Sequence, residues 1–283
     1  FLDNVMTDFI NRAPDEFAHA KYSALRERSV GLGVMGLHSF FQQKNIPFGS
    51  VMSKVWNKKI FKNIQEKVDT ASVSLAEERG ACPDAAEYGM KERFSNKTAI
   101  APTASISIIC GGSSPGIEPI AANSYTHKTL SGSFNVRNKY LKKILQKYKK
   151  DTDEVWSSIT TNQGSVSHLD FLNAQEKDTF KTAFEIDQRW VVELGADRTP
   201  HISQAQSVNI FIPADIHKKD LHDLHFQAWK KGLKSLYYCR SKSIQRAENV
   251  NNTSQTDVTK NVYSSGQKSN NESNNYEECL SCQ

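Results

Sequence analysis

No run of apolar side chains in this sequence approaches the ~20 residues that cross a bilayer, so a spanning helix is excluded as an organising element. Cysteine is scarce and odd in number, with five residues, which does not make a disulfide framework. No secretory signal opens the sequence, and a cytoplasmic, reducing setting is expected. Paired cysteines there point to redox chemistry or metal before structural disulfides. No internal repeat is present. Aliphatic side chains are nearly missing from the last forty residues, which pulls the hydrophobic content down to 38%. The rest has an ordinary globular composition, and 283 residues suffice for one large domain or two smaller ones. The net charge of +5 is spread along the chain. No aromatics interleave with the densest basic cluster, Lys142, Lys143, Lys147, Lys149 and Lys150. A solvated helix end explains that cluster better than a nucleic-acid groove. The sequence begins at Phe1, in what reads as the middle of an amphipathic helix, so an upstream segment is expected.

Residues 3–44 read as helical with a glycine-rich break. Gly31–Gly36 has G-x-G-x-x-G spacing, but no strand signal precedes it and no acidic residue follows at the right distance. Close packing of a chain turn against a helix is the preferred reading. Residues 53–79 form the clearest helix, with Ser53 as N-cap and Ile60, Ile64, Val68, Ala71 and Leu75 on one face. Gly80 fits the position just past its end. Thr98–Ala101 and Ser105–Ile109 read as short strands around Pro102, followed by a loop from Gly111 to Gly116. A second helix is expected over about 176–194, with Phe180, Phe184, Val191 and Leu194 inward and Gly195 ending it. Ser207–Pro213 reads as a buried strand, Asp215–Lys231 as a helix closed by Gly232, and Ser235–Arg240 as another strand. Strand, helix, strand at this spacing is a βαβ unit and favours a parallel sheet or barrel. After about Ile244 the core signal stops. Asn, Ser, Gln, Lys and Glu dominate, and such a stretch cannot bury enough apolar surface to offset its ordering entropy. Residues 1–244 are therefore the folded part, 245–278 a flexible polar linker and 279–283 a tail containing Cys279-Leu280-Ser281-Cys282.

Three features carry chemistry. Cys279 and Cys282 can close a small disulfide ring, exchange with another dithiol or fill two corners of a zinc site; they can also be an accidental pair at a frayed terminus. Zinc needs four ligands, and no second pair lies nearby. A flexible linker of ~34 residues has a root-mean-square span of ~30–35 Å. That length lets a dithiol reach a buried disulfide and then swing out. The neighbouring Glu277 and Glu278 do not favour the thiolate. Tyr237 and Tyr238 are adjacent, and on a regular strand they point to opposite faces. A phenol can lose an electron and a proton together, so a tyrosine relay needs both rings close and hence a local departure from strand geometry. Third, Pro102-Thr103-Ala104-Ser105-Ile106-Ser107 puts hydroxyls and small residues in a turn whose backbone N–H groups can cradle a phosphate. A helix starting there adds its positive end. Thr and Ser also simply cap turns.

In order along the chain, these pieces resemble the large, catalytic subunit of class I ribonucleotide reductase, in its C-terminal portion. Ala101–Ser107 resembles the family's substrate-diphosphate turn. Gly116-Ile-Glu-Pro119 and Leu130-Ser-Gly-Ser-Phe134 resemble further landmarks. Gly232–Tyr238 is similar to its radical-transfer segment, Glu278–Cys282 to its C-terminal shuttle, and Arg28–Gly36 to an arginine-glycine lead-in to this half of the barrel. The resemblance implies an α/β fold, the C-terminal part of a ten-stranded α/β barrel with a disordered tail. It implies reduction of ribonucleoside diphosphates by radical chemistry. Thr103, Ala104, Ser105 and Ile106 would hold the substrate diphosphate, largely through backbone N–H groups. Tyr237 and Tyr238 would relay the radical, and Cys279 and Cys282 would reduce the active-site disulfide and be reduced by thioredoxin or glutaredoxin.

The resemblance also implies what stands elsewhere. The family's radical-bearing cysteine, the two cysteines that reduce the ribose and the effector sites precede the matched region. Cys82, Cys110 and Cys239 match none of these motifs; Cys82 and Cys110 read as core or loop residues, Cys239 as packed after the tyrosines. The expectation is one part of a large subunit, a fragment or half of a split one, inactive without the N-terminal part and the small subunit. No cofactor or metal is expected on this chain. A diiron-tyrosyl radical is expected in the small subunit, and nucleotide effectors on the N-terminal part. A non-catalytic assembly module of the same fold and a thiol-disulfide oxidoreductase working through the tail are the alternatives.

Overall fold

The computed structural model describes residues 1–129 and 132–241. The N-terminal third is helical: α1 (Leu2–Arg12), α2 (Ala18–Glu27), α3 (Leu37–Gln43), α4 (Val51–Arg79) and α5 (Pro83–Glu87). Next come α6 (Ala104–Ile109), a hairpin of β1 (Ser124–Thr129) and β2 (Gly132–Arg137), then α7 (Lys139–Lys147), α8 (Asp153–Thr161), α9 (Ala174–Thr179) and α10 (Gln188–Arg198). The C-terminal unit is β3 (Ile210–Ile212), α11 (Lys218–Lys230) and β4 (Cys239–Ser241). No helix of the described residues is long and apolar enough to cross a membrane.

The expected βαβ unit is present, with β3 and β4 parallel and α11 packing Leu224 and Ala228 onto Ile210 and Val192. Two parallel bridges extend this pair into a wider array: Leu32 pairs with Thr98, and Ile100 with Gln206. The ladder continues through Ala99 N–H to Leu32 O (3.1 Å), Ile100 N–H to Ala205 O (3.1 Å) and Tyr237 N–H to Val208 O (2.9 Å). Among the described residues, four extended lanes therefore run side by side in the order 30–32, 97–100, 204–212 and 237–241. Gly33 is needed at the first seam, since a Cβ there would sit 2.6 Å from the Ala99 carbonyl oxygen. The glycine-rich break thus packs against an extended segment and not, as expected, a helix.

The main core lies where α3, α4 and α10 cover these lanes, with Phe41, Phe48, Phe61, Leu194 and Val208 essentially solvent-free. Each such side chain contributes about 1.5–3 kcal/mol by leaving water. A second core joins Leu141, Leu145, Trp156, Ile159 and Phe180 beneath α7 and α8. The lysine cluster lies exposed along and just after α7, as a solvated helix end should. Asp3 docks α1: it is buried and accepts bonds from Arg28, Arg79 and Arg93. Burial works against its charge, but the bonds from Arg93 and Arg28 win and hold its carboxyl below the usual range.

Several expectations change. Ser50, not Ser53, caps α4. Ser50 is extended, its side chain accepts from Ser53 N–H, and its backbone N–H donates back to Ser53 Oγ in a reciprocal capping box. The buried stripe of α4 is Ser53, Asn57, Phe61, Ser72 and Ala76; the expected aliphatic face lies only at its margin. Polar residues can hold the stripe because they are bonded: Asn57 donates to Leu194 O and accepts from the buried Arg198. The 176–194 helix is two helices. Phe180 O accepts from Asn123, Ala183 N–H goes to Ile120 O, and Thr182 N–H goes to Glu185, so tertiary and local side-chain partners take the backbone groups a continuous helix needs. Gly195 sits inside α10 instead of ending it. Ser105–Ile109 is helical, as α6, and Cys239 is exposed on β4 instead of packed.

Candidate functional site

The phosphate-like turn is built on an unusual residue. Thr103 caps α6 in the left-handed region (φ 55, ψ 29), where a β-branched side chain is strained by ~1–3 kcal/mol. A compensating bond holds it: Thr103 Oγ1 accepts from Gly116 N–H at 2.7 Å. Gly116 cannot carry a side chain there, because its φ is 42° and a Cβ would lie 2.9 Å from Ala101 O. The Thr103 side chain makes no capping bond to α6. Ser107 Oγ closes the first turn onto Ala104 O at 2.7 Å. Ala104 is half-buried, whereas Ser105 and Ile106 face solvent. The helix start that the anion reading wanted is therefore present, in place of the strand.

The tyrosines depart from strand geometry. Tyr237 and Tyr238 both precede β4, are 45% and 40% exposed, and have ring centroids 4.2 Å apart at 55°. The backbone shows how. Tyr237 N–H reaches Val208 O, but Tyr238 N–H goes to the side chain of Asn209 at 2.9 Å. The ladder resumes with Ile210 N–H to Tyr238 O at 3.0 Å. A side-chain amide thus replaces one ladder carbonyl, and the alternation that would send the rings to opposite faces is interrupted.

Asn209 also reaches the other way. Its Nδ2 donates to Glu118 Oε1, and both residues are buried. Burial pushes the Glu118 carboxyl up to about 7, against the opposing pulls of the Arg240 charge and the Asn209 bond. The Arg240 guanidinium lies 5.8 Å from the Tyr238 ring centroid. Pro102, Ala104, Pro115, Glu118, Phe211 and Arg240 enclose a cavity of about 130 Å³. The turn and the tyrosine side of the site therefore share a wall. Cys279 and Cys282 lie outside the described residues, as do Leu130 and Ser131.

Sequence reasoning missed Asn209 and Arg240, and read Glu118 only as part of a landmark. Asn209 did carry a signal: a polar residue inside the apolar, β-branched run Ser207–Pro213 needs a bonded reason to be buried. Arg240 follows the tyrosines directly, and its position over a ring has no sequence mark.

The fold is that of a ribonucleotide reductase barrel domain, and the chain belongs to that family. The family description "Ribonucleotide reductase, barrel domain" matches residues 1–92 and 84–239. The chain is 49% identical over 253 residues to the ribonucleoside-diphosphate reductase large subunit of Invertebrate iridescent virus 6, covering 88% of this chain and 26% of that protein. It is 44% identical over 259 residues to that of Invertebrate iridescent virus 3, covering 90% and 41%. Among solved structures it resembles the Actinobacillus ureae class Id ribonucleotide reductase alpha subunit, with a TM-score of 0.79 and 39% identity over 89% of this chain and 46% of that one. The chain thus spans between a quarter and two-fifths of the length of these viral relatives.

Proposed function

We propose that this chain is the C-terminal part of a ribonucleoside-diphosphate reductase large subunit, acting in the cytoplasm with the rest of that subunit and a small radical-generating subunit. The observation that carries the reading is the tyrosine contact. Two half-exposed phenols with centroids 4.2 Å apart can pass an oxidising equivalent, each losing an electron and a proton together. Both rings are partly exposed, and Arg240, which lies over the Tyr238 ring, lines the same cavity as Ala104 at the turn. At that turn, backbone N–H groups of the segment Thr103, Ala104, Ser105 and Ile106 would receive the substrate diphosphate, helped by the positive end of α6. In the tail, Cys279 and Cys282 would return electrons by thiol-disulfide exchange, with thioredoxin or glutaredoxin as source. The radical itself would come from a diiron centre in the small subunit, and effectors would bind the N-terminal part.

The test is Tyr237→Phe and Tyr238→Phe in the reconstituted assembly. Phenylalanine keeps the ring but has no ionisable phenol. Turnover should fall by about 10³-fold or more, with substrate binding and the melting curve unchanged. Unchanged turnover would instead favour an assembly module that keeps the fold without the chemistry.

A further inference from the structure

We propose that Glu118 and Asn209 form a clamp that positions the tyrosine pair, linking the turn at Thr103 to the backbone of Tyr238. The link is continuous in hydrogen bonds and in chain. Thr103 Oγ1 accepts from Gly116 N–H. Two residues on, Glu118 is fixed by its own N–H to Pro115 O at 3.0 Å. Its carboxyl accepts from Asn209 Nδ2, and Asn209 Oδ1 accepts from Tyr238 N–H at 2.9 Å.

The orientation of the Asn209 amide is the decisive point. An amide has one accepting and one donating end. Tyr238 N–H can only be served by the oxygen, so the nitrogen must find an acceptor. Glu118 supplies it in either protonation state, because one oxygen always remains free to accept. Without that acceptor, the buried amide nitrogen is orphaned, which is costly. The amide then turns, and Tyr238 N–H loses its partner. The replaced ladder carbonyl is what lets the two rings meet, so the ring contact depends on a carboxyl that touches neither ring. Arg240 shares the cavity with Glu118 and lies over the Tyr238 ring. Glu118 and Asn209 are positioning residues here, and the functional half of the proposal rests on the relay reading above.

The experiment places 3-fluorotyrosine at 237 and 238 of the full chain and reads fluorine–fluorine cross-relaxation between the rings. The unmodified clamp should give the signal. E118Q should keep it, because a glutamine oxygen still accepts from Asn209. E118L and N209L should lose it while circular dichroism shows a folded chain; either folded variant decides. In the reconstituted assembly, E118L should lower kcat by about tenfold or more with KM held within about twofold. Persistence of the ring signal in a folded E118L or N209L, or its loss in E118Q, overturns the clamp. If Tyr237→Phe and Tyr238→Phe leave turnover unchanged while E118L still loses the ring signal, the relay fails and the clamp stands.

Discussion

Two buried groups, His38 and Glu118, respond to pH in opposite directions. His38 is fully buried, packs edge-on against Phe48 at 5.3 Å, and accepts Ile120 N–H at its Nδ1 at 2.9 Å. Burial lowers it to about 3 from an ordinary 6.5, so the folded chain keeps it neutral while an unfolded chain protonates it. Its contribution is present above pH 6.5 and is lost as pH falls from there toward 3, at up to about 1.4 kcal/mol per pH unit. Glu118 behaves inversely. Its folded value of about 7 exceeds the ordinary 4.5, so the unfolded chain ionises first. Its contribution is present below pH 4.5 and is lost as pH rises toward 7, with a similar slope. Between 4.5 and 6.5 the two slopes nearly cancel. Urea unfolding across pH 4–8 should show this: His38→Asn should flatten the limb below pH 4.5 and uncover a loss of stability from 4.5 to 7, whereas E118Q should uncover a gain of stability from 4.5 to 6.5. Parallel pH curves for wild type and His38→Asn would show that the imidazole titrates alike in the folded and unfolded chain and would sink this account.

At the scale of elements, legibility followed how local the deciding interactions are. The ends of helix α4 were read to within two residues because its period and Gly80 are local; its start slipped where two serines three apart both suit a cap, and its buried face slipped because distant partners satisfy polar residues such as Asn57. Helix α11 was placed almost to its ends by an apolar stripe and Gly232. The 176–194 segment failed because Asn123 and Ile120, about sixty residues upstream, take its backbone groups. Segment 105–109 failed because Ile-Ser-Ile-Ile has strand-like composition, while the left-handed Thr103 starts a helix. Its exposed Ile106, Ile108 and Ile109 also erase the amphipathic pattern. The turn before α6 depends on Gly116 for two separate reasons, its positive φ and its approach to Ala101 O. Gly116→Ala should therefore destabilise the fold by ~1–3 kcal/mol and weaken diphosphate binding. Ala substituted at exposed Gly89, which has open space around it, should cost only its positive φ and leave binding unchanged. Titration with a ribonucleoside diphosphate and urea melts of both variants check this.

For the whole molecule, the adjacent tyrosines, the hydroxyl turn and the βαβ unit could all be seen in the sequence, because each is a short run of residues. Their assembly could not, since the wall they share is closed by Glu118, Asn209 and Arg240 from three separate segments. The four parallel lanes have a further consequence. Among the described residues, Leu32 bridges only Thr98, and β4 pairs only with β3. Lanes with one neighbour each present unpaired backbone groups and invite another strand. The viral relatives extend far beyond the matched region, and Cys82, Cys110 and Cys239 match none of the motifs that the resemblance leads one to expect for cysteines acting on the ribose. Both points lead to the same assembly. Purified with a small subunit and reductant alone, this chain should form no deoxynucleotide. Adding the N-terminal part of a large subunit should restore product and bury the backbone amides of Gly31 and Gly33, which flank the inward-bonded Leu32, and of β4, read as slowed hydrogen exchange there. Product from the lone chain would refute the shared barrel. Restored product with no added protection at either lane would place the contact elsewhere, because strand addition cannot occur without ordering those amides.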